Sequence, residues 1–178
     1  MDWHSPEKPR REASWRQRLS LRYRELGRLL RLHVDLTSAC ALRCPHCYQQ
    51  GRFGRGPELD AARWQELLAE AADLGVLFLL VSGGDPMLRP DFRAFVQAAR
   101  ARHFHVRIKT TGLCLEPHDA AWMSALGNLD VDLSLHGAKP ATHDRFVGST
   151  GAFESTLAAA RALVTVGVPV SFATTMTA

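Results

Sequence analysis

Strand-like and helix-like stretches alternate along the chain from Leu32 to Thr175, and that alternation restricts it to a small set of folds. Leu32, Val34 and Leu36 alternate with His33, Asp35 and Thr37, the period of a strand with one buried face. Val76 to Val81 is apolar without a break, as expected of a parallel strand covered on both faces. A third strand runs from Phe104 to Thr110. A fourth alternates Leu129, Val131, Leu133 and Leu135 with Asp130, Asp132, Ser134 and His136, and a fifth runs from Val168 to Thr175. Amphipathic stretches fill the gaps. Asp60 caps a helix whose apolar face is Trp64, Leu67, Leu68 and Ala71 and which stops at Gly75. The next uses Phe92, Phe95, Val96 and Ala99; Pro117 opens another around Trp122 and Leu126; the last runs from about Phe153 to Val166, using Leu157, Leu163 and Val164, and ends at Gly167. Repeated βα units make a parallel α/β sheet, and both a doubly wound sheet and a β/α barrel satisfy the pattern. Polar residues alternating along strands three and four put one face against helices and the other against a wet cavity, which favours a partial barrel.

The N-terminal part is different in kind. Residues 1–12 are polar, carry Pro6 and Pro9 and show no period, so they read as a loose arm. From Trp15 to Leu30 apolar residues recur at three- and four-residue steps, which predicts an amphipathic helix packed on the domain as an extension. Residues 1–31 hold nine Lys or Arg against four Asp or Glu, and residues 32–178 hold thirteen against fourteen, so the positive charge is confined to the N-terminal segment. Without aromatic residues interleaved in a binding motif, such an arm reads as solvated, and no nucleic-acid partner is expected. No run of 18 apolar residues exists and the Arg-rich start lacks an apolar signal region, so no membrane segment is expected. A cytoplasmic location follows as an expectation, supported by crowded cysteines that suit a metal site better than disulfides.

Three of the four cysteines fall in Cys40-Ala41-Leu42-Arg43-Cys44-Pro45-His46-Cys47-Tyr48, directly after the first strand. Thiolates ligate iron–sulfur clusters, and these short intervals let three sulfurs converge on one cluster, leaving one iron of a four-iron cluster open. A zinc site is the competing reading of the spacing; its fourth ligand would be His46, His33, His105 or Cys114. Thiols that share a metal repel one another or lie unsatisfied without it, so such a loop can splay. Cys114 reads as a small packed side chain outside the group.

With that loop, and with Gly83-Gly84-Asp85-Pro86 at the end of strand two, residues 31–178 resemble the radical S-adenosylmethionine (radical SAM) superfamily. The resemblance implies a [4Fe-4S] cluster held by Cys40, Cys44 and Cys47, whose thiols would stand within a few ångströms of one another. It also implies S-adenosyl-L-methionine chelating the open iron and cleaved reductively to a 5'-deoxyadenosyl radical, and an electron donor such as a flavodoxin or ferredoxin. Gly83, Gly84 and Asp85 stand where the family has a Gly-Gly-Glu motif that holds the methionyl ammonium; Asp shortens that reach by one methylene. His46 stands where the backbone meets adenine, and Thr111 and Ser134 resemble contacts to the methionyl and ribose parts. Arg145 would replace an Arg that many members carry at the place of Val147 to bind the cofactor's carboxylate.

The wording Ser134-Leu135-His136-Gly137, His143-Asp144-Arg145-Phe146 and Met176-Thr177 is most similar to radical SAM enzymes that modify ribosomal peptides and carry SPASM-type auxiliary domains. A peptide substrate is therefore expected, with a tetrapyrrole or other small-molecule maturation enzyme, and a non-catalytic metal-binding protein, as alternatives. Against that family the core spans about five of six strands and lacks its last helix and strand. The open edge at strand five would then favour self-association.

Overall fold

The structure is a computed structural model that describes residues 14–49 and 56–176; the expected loose arm, Gly51, Gly54 and Thr177 lie outside them. In chain order the elements are α1 Trp15–Glu25, β1 Arg31–Thr37, α2 Ala61–Asp73, β2 Phe78–Gly83, a 3-10 turn at Pro86–Leu88, α3 Phe92–Ala101, β3 His105–Thr110, α4 Pro117–Leu126, β4 Leu129–Ser134, α5 Pro140–Val147, α6 Ala152–Thr165 and β5 Val170–Ala173. All four strand pairings are parallel, and the strands lie in the order β1-β2-β3-β4-β5. A doubly wound sheet reverses its strand order at a switch point. Here the order never reverses, so the sheet is the wall of a partial barrel.

The side-chain period of two assigns each face its task. Val34, Leu36, Leu79, Val81, Val106, Ile108, Val131 and Leu133 are buried beneath the helices, where Trp64, Leu68, Phe95, Val96, Met123 and Leu163 complete the main core. On the inner face His33, Leu80, Arg107 and Asp130 stand in one register row, and Lys109, Asp132 and Ser171 in the row above. That polar lining is the wet face expected from strands three and four.

Four details depart from the sequence reading. The unbroken apolar run in β2 is covered on one face only: Leu79 and Val81 are buried, while Phe78 and Leu80 are half-exposed towards the barrel interior. In α6 the packed residues are Phe153, Thr156, Ala159, Ala160 and Leu163, and Val164 is 63% exposed. Small residues prevail because the helix lies close to the sheet; a Cβ on Gly112 would stand 3.1 Å from that of Ala159. Helix α1 stops at Glu25 and buries none of its residues; the Tyr23 hydroxyl tethers it by donating to Gly75 O at 3.1 Å. Helix α5, between Pro140 and left-handed Gly148, follows the fourth strand where the sequence reading placed no helix. At the far end, β5 pairs with β4, and outward-facing Phe172 is 47% exposed.

Candidate functional site

The cysteine loop leaves the C-terminal end of β1 under firm control. Glu58 Oε1 accepts from the Thr37 hydroxyl at 2.7 Å and the Ser38 amide at 2.8 Å. The Arg89 guanidinium, whose side chain is 8% exposed, donates to Leu36 O at 2.9 Å and faces Glu58 at 3.5 Å. Inside the first cysteine interval, Leu42 inserts between Val147 of α5 and Ala152 of α6, forming a second small core against which Cys40 and Cys44 pack. A turn from Cys47 N–H to Cys44 O at 3.1 Å closes the second interval. Beyond it the Tyr48 hydroxyl reaches Asp35, at 3.1 Å from Oδ1. One spacing therefore serves two needs, an apolar anchor and a row of thiols.

All three thiols line a cavity of about 320 Å³ at the C-terminal ends of the strands, with His46, Gly83, Gly84, Thr111 and Ser134. In a β/α barrel this is the end that carries chemistry. Cys114 lies outside the lining, as expected, but it is exposed and not packed. Burial raises the pKa of Cys40 and Cys44, that of Cys44 to about 11, and the neighbouring thiols add to it. Clustered thiols whose ionisation neighbouring thiols disfavour, as at Cys40 and Cys44, are a donor set that a shared cationic centre would relieve. Among the described residues, however, no group of three or more His, Cys, Asp or Glu is gathered tightly enough to hold a metal ion. The three thiols line the same cavity, with Cys40 and Cys47 near enough to Cys44 to oppose its ionisation. By donor type and their shared cavity the residues fit a cluster that Cys40, Cys44 and Cys47 would hold.

Gly83 and Gly84 pass close to that loop. A Cβ on Gly83, whose φ is +131°, would stand 2.2 Å from Thr37 O, and one on Gly84 2.1 Å from Ala39 O. The glycines thus let β2 meet the root of the cysteine loop, backbone on backbone, with Gly84 N–H donating to Thr37 O and Asp85 N–H to Ala39 O, both at 2.7 Å.

Asp85 departs most from its expected role. Its side chain is 1% exposed; Oδ1 accepts from the Thr110 hydroxyl at 2.7 Å and the Met87 amide at 3.2 Å, and Oδ2 from the hydroxyl and amide of Thr111. A carboxylate has about four acceptor positions. All are occupied by protein donors here, so the carboxylate braces β2 against β3 at the edge of the cavity. Thr111 lines the cavity, yet its hydroxyl is committed to Asp85.

An aromatic cluster joins the cysteine loop to the segment after β4. His46 stacks on Phe146 with centroids 4.8 Å apart and meets His136 edge-on at 4.7 Å. His136 Nδ1 accepts from Thr175 N–H at 3.2 Å, so its neutral ring carries a proton on Nε2. His143, 1% exposed, accepts the His136 amide on Nδ1 at 3.0 Å, and its buried Nε2 meets no partner. Burial holds all three rings below the usual histidine range, His136 at about 4, where His46, His143 and Lys109 also disfavour a further positive charge. Ser134 sits at the end of β4 with its side chain on the cavity. Arg145 is exposed on α5 and is not among the residues that line the cavity. Lys109 and His136, which do line it, were missed. Counting back by twos from Thr111 along strand three, and forward from Ser134, would have found them.

Comparison with known proteins agrees with this geometry. The sequence pattern of the radical SAM superfamily matches residues 34–178. The PqqA peptide cyclase of Ruegeria pomeroyi is 35% identical over 139 residues, 78% of this chain and 37% of that protein. The mycofactocin maturase MftC of Mycobacterium tuberculosis is 32% identical over 133 residues, 75% of this chain and 34% of that protein. The chain thus spans little more than a third of the length of these curated relatives. Among solved structures, Streptococcus suis SuiB bound to S-adenosylmethionine superposes with a TM-score of 0.74 at 19% identity, over 85% of this chain and 36% of that one. SuiB bound to its precursor peptide SuiA gives the same TM-score and identity, over 85% and 35%.

Proposed function

The chain belongs to the radical SAM superfamily, and from that premise we propose that it forms the catalytic core of an enzyme that modifies a peptide by hydrogen abstraction. The observation that carries this reading is the meeting of Cys40, Cys44 and Cys47 with Ser134 and the aromatic pair His46 and Phe146 at one end of the strands. When bound, a [4Fe-4S] cluster would supply one electron to the sulfonium of S-adenosylmethionine, giving methionine and a 5'-deoxyadenosyl radical that takes a hydrogen atom from the substrate. The protein's part is placement. Cys40, Cys44 and Cys47 hold the metal centre, and the backbone at Gly83 and Gly84 fixes the loop that carries them. The His46 segment offers a flat apolar wall to a purine, and the Ser134 hydroxyl offers a donor to the cofactor's polar end. A peptide substrate is favoured by what similar proteins are named for, a PqqA peptide cyclase and a SuiB bound to a precursor peptide. A small electron-transfer protein such as a flavodoxin or ferredoxin would deliver the electron, and the exposed β5 edge would be a route to self-association.

Anaerobic reconstitution with iron and sulfide tests this reading. We expect about four irons per chain, and 5'-deoxyadenosine formed from S-adenosylmethionine under a strong reductant. Replacing any one of the three cysteines with Ala should abolish stable cluster binding. A single bound zinc with no cofactor cleavage would favour a binding module instead.

A further inference from the structure

Lys109 projects from β3 into the cavity and forms no ion pair among the described residues. Asp132, its register partner on β4, has its Oδ1 engaged by the Ser171 hydroxyl at 3.2 Å. None of the described residues lining the cavity is an Asp or Glu, and Asp85 lies behind the wall with its oxygens filled. A half-buried ammonium without an ion pair has lost part of its hydration with no direct salt bridge to offset it. Beside it stand the Ser134 hydroxyl and the His136 Nε2–H, both lining the cavity without a protein partner among the described residues. One cation and two neutral donors, with no acid lining the cavity beside them, form a receptor for a carboxylate.

Resting on the cofactor-site reading above, we propose that Lys109 anchors a carboxylate of the molecule held in this cavity, assisted by Ser134 and His136. Two sources carry that chemistry: the methionyl end of S-adenosylmethionine, and an acidic side chain of a peptide. In the first case Lys109 would do from the barrel interior what exposed Arg145 is not placed to do.

Calorimetric titration of the anaerobically reconstituted protein separates the sources. The probes are S-adenosylmethionine, its decarboxylated analogue and N-acetyl-tetraglutamate amide, each applied to wild type, Lys109→Met, Lys109→Arg and Arg145→Met. If the carboxylate is the cofactor's, Lys109→Met should bind S-adenosylmethionine at least about tenfold more weakly, the scale of one charge-assisted bond. Lys109→Arg should recover most of that loss, the decarboxylated analogue should not discriminate, and Arg145→Met should match wild type. If it is the peptide's, the same pattern should appear with tetraglutamate while S-adenosylmethionine binds all variants alike. Equal affinity of wild type and Lys109→Met for both carboxylate probes overturns the proposal, with iron content serving as the control for an intact site. A wild type that takes up no iron and no S-adenosylmethionine refutes the cofactor reading itself, and the tetraglutamate titration then still decides on Lys109.

Discussion

Asp85 and Thr111 meet at the C-terminal ends of β2 and β3, where one carboxylate oxygen accepts both the hydroxyl and the amide of the threonine, the amide at 3.1 Å. The other oxygen takes the Thr110 hydroxyl, so a single buried charge holds two successive residues of the neighbouring strand. Asp85→Asn would turn an acceptor into a donor facing hydroxyls and amides. We expect a loss of about 1.5–3 kcal/mol, the scale of hydrogen bonds to a charged group, read from urea unfolding. Asp85→Glu should also destabilise, by about 1–3 kcal/mol, because the extra methylene has no room in a site 1% exposed. A Glu variant as stable as wild type would show that the carboxylate has freedom to turn into the cavity.

Gly84→Ala places a methyl 2.1 Å from Ala39 O, against backbone that cannot swing aside as a side chain would. Either β2 or the root of the cysteine loop must move. We expect at least about 3 kcal/mol lost, the upper end of overpacking costs, and reduced iron uptake because the thiols shift with the loop. Gly75→Ala, at φ +78° in open space, provides the contrast: local backbone strain with iron uptake unchanged. Similar iron contents in both variants would detach the Gly84 contact from the thiols.

Phe172 is 47% exposed on β5, on the face that the helices cover elsewhere in the sheet. Exposed apolar strand edges invite pairing with another chain. This chain should therefore associate with rising concentration in sedimentation velocity, and Phe172→Lys should shift it towards monomer. A wild type that stays monomeric at high concentration would remove this edge as an association surface.

What the sequence makes legible follows from what is local. Strand period, the Asp60 cap and the cysteine spacing depend on neighbouring residues, and each appears where it was read; Asp60, for example, accepts from Arg63 N–H at 2.8 Å. The strand order is not local, and the choice between sheet and barrel came from the polar alternation of β3 and β4. What the sequence leaves illegible depends on surroundings built from residues distant in the chain. Asp85 looked free for a ligand because its four donors, apart from Met87, lie 25 and 26 residues away. Leu80 looked like core because composition alone does not tell a helix-covered face from an apolar cavity wall. Lys109 passed unnoticed among strand residues because a cation's lack of a counter-charge is visible only in three dimensions.

His143 and His136 make stability depend on pH in a direction the structure fixes. His143 is 1% exposed, its Nδ1 must stay unprotonated to accept the His136 amide, and burial holds both rings below the usual histidine range. In the unfolded chain each titrates near 6.5, whereas folded His136 titrates at about 4. Between those values the unfolded chain binds more protons, so stability rises with pH and is lost as pH falls from about 6.5 towards 4. The loss is at most about 1.4 kcal/mol per pH unit for each histidine, and less for half-exposed His136, where water screens the charge. The depressed carboxylates Glu58, Asp91 and Asp130 add a further loss only at lower pH. His143→Asn is the discriminating variant, since its amide oxygen can replace Nδ1 as acceptor but does not titrate. Urea unfolding at pH 7, 6 and 5 should show wild type losing stability steadily and His143→Asn losing less over the same interval. Equal pH slopes for the two proteins would mean that His143 accepts a proton in the folded state as readily as in the unfolded one.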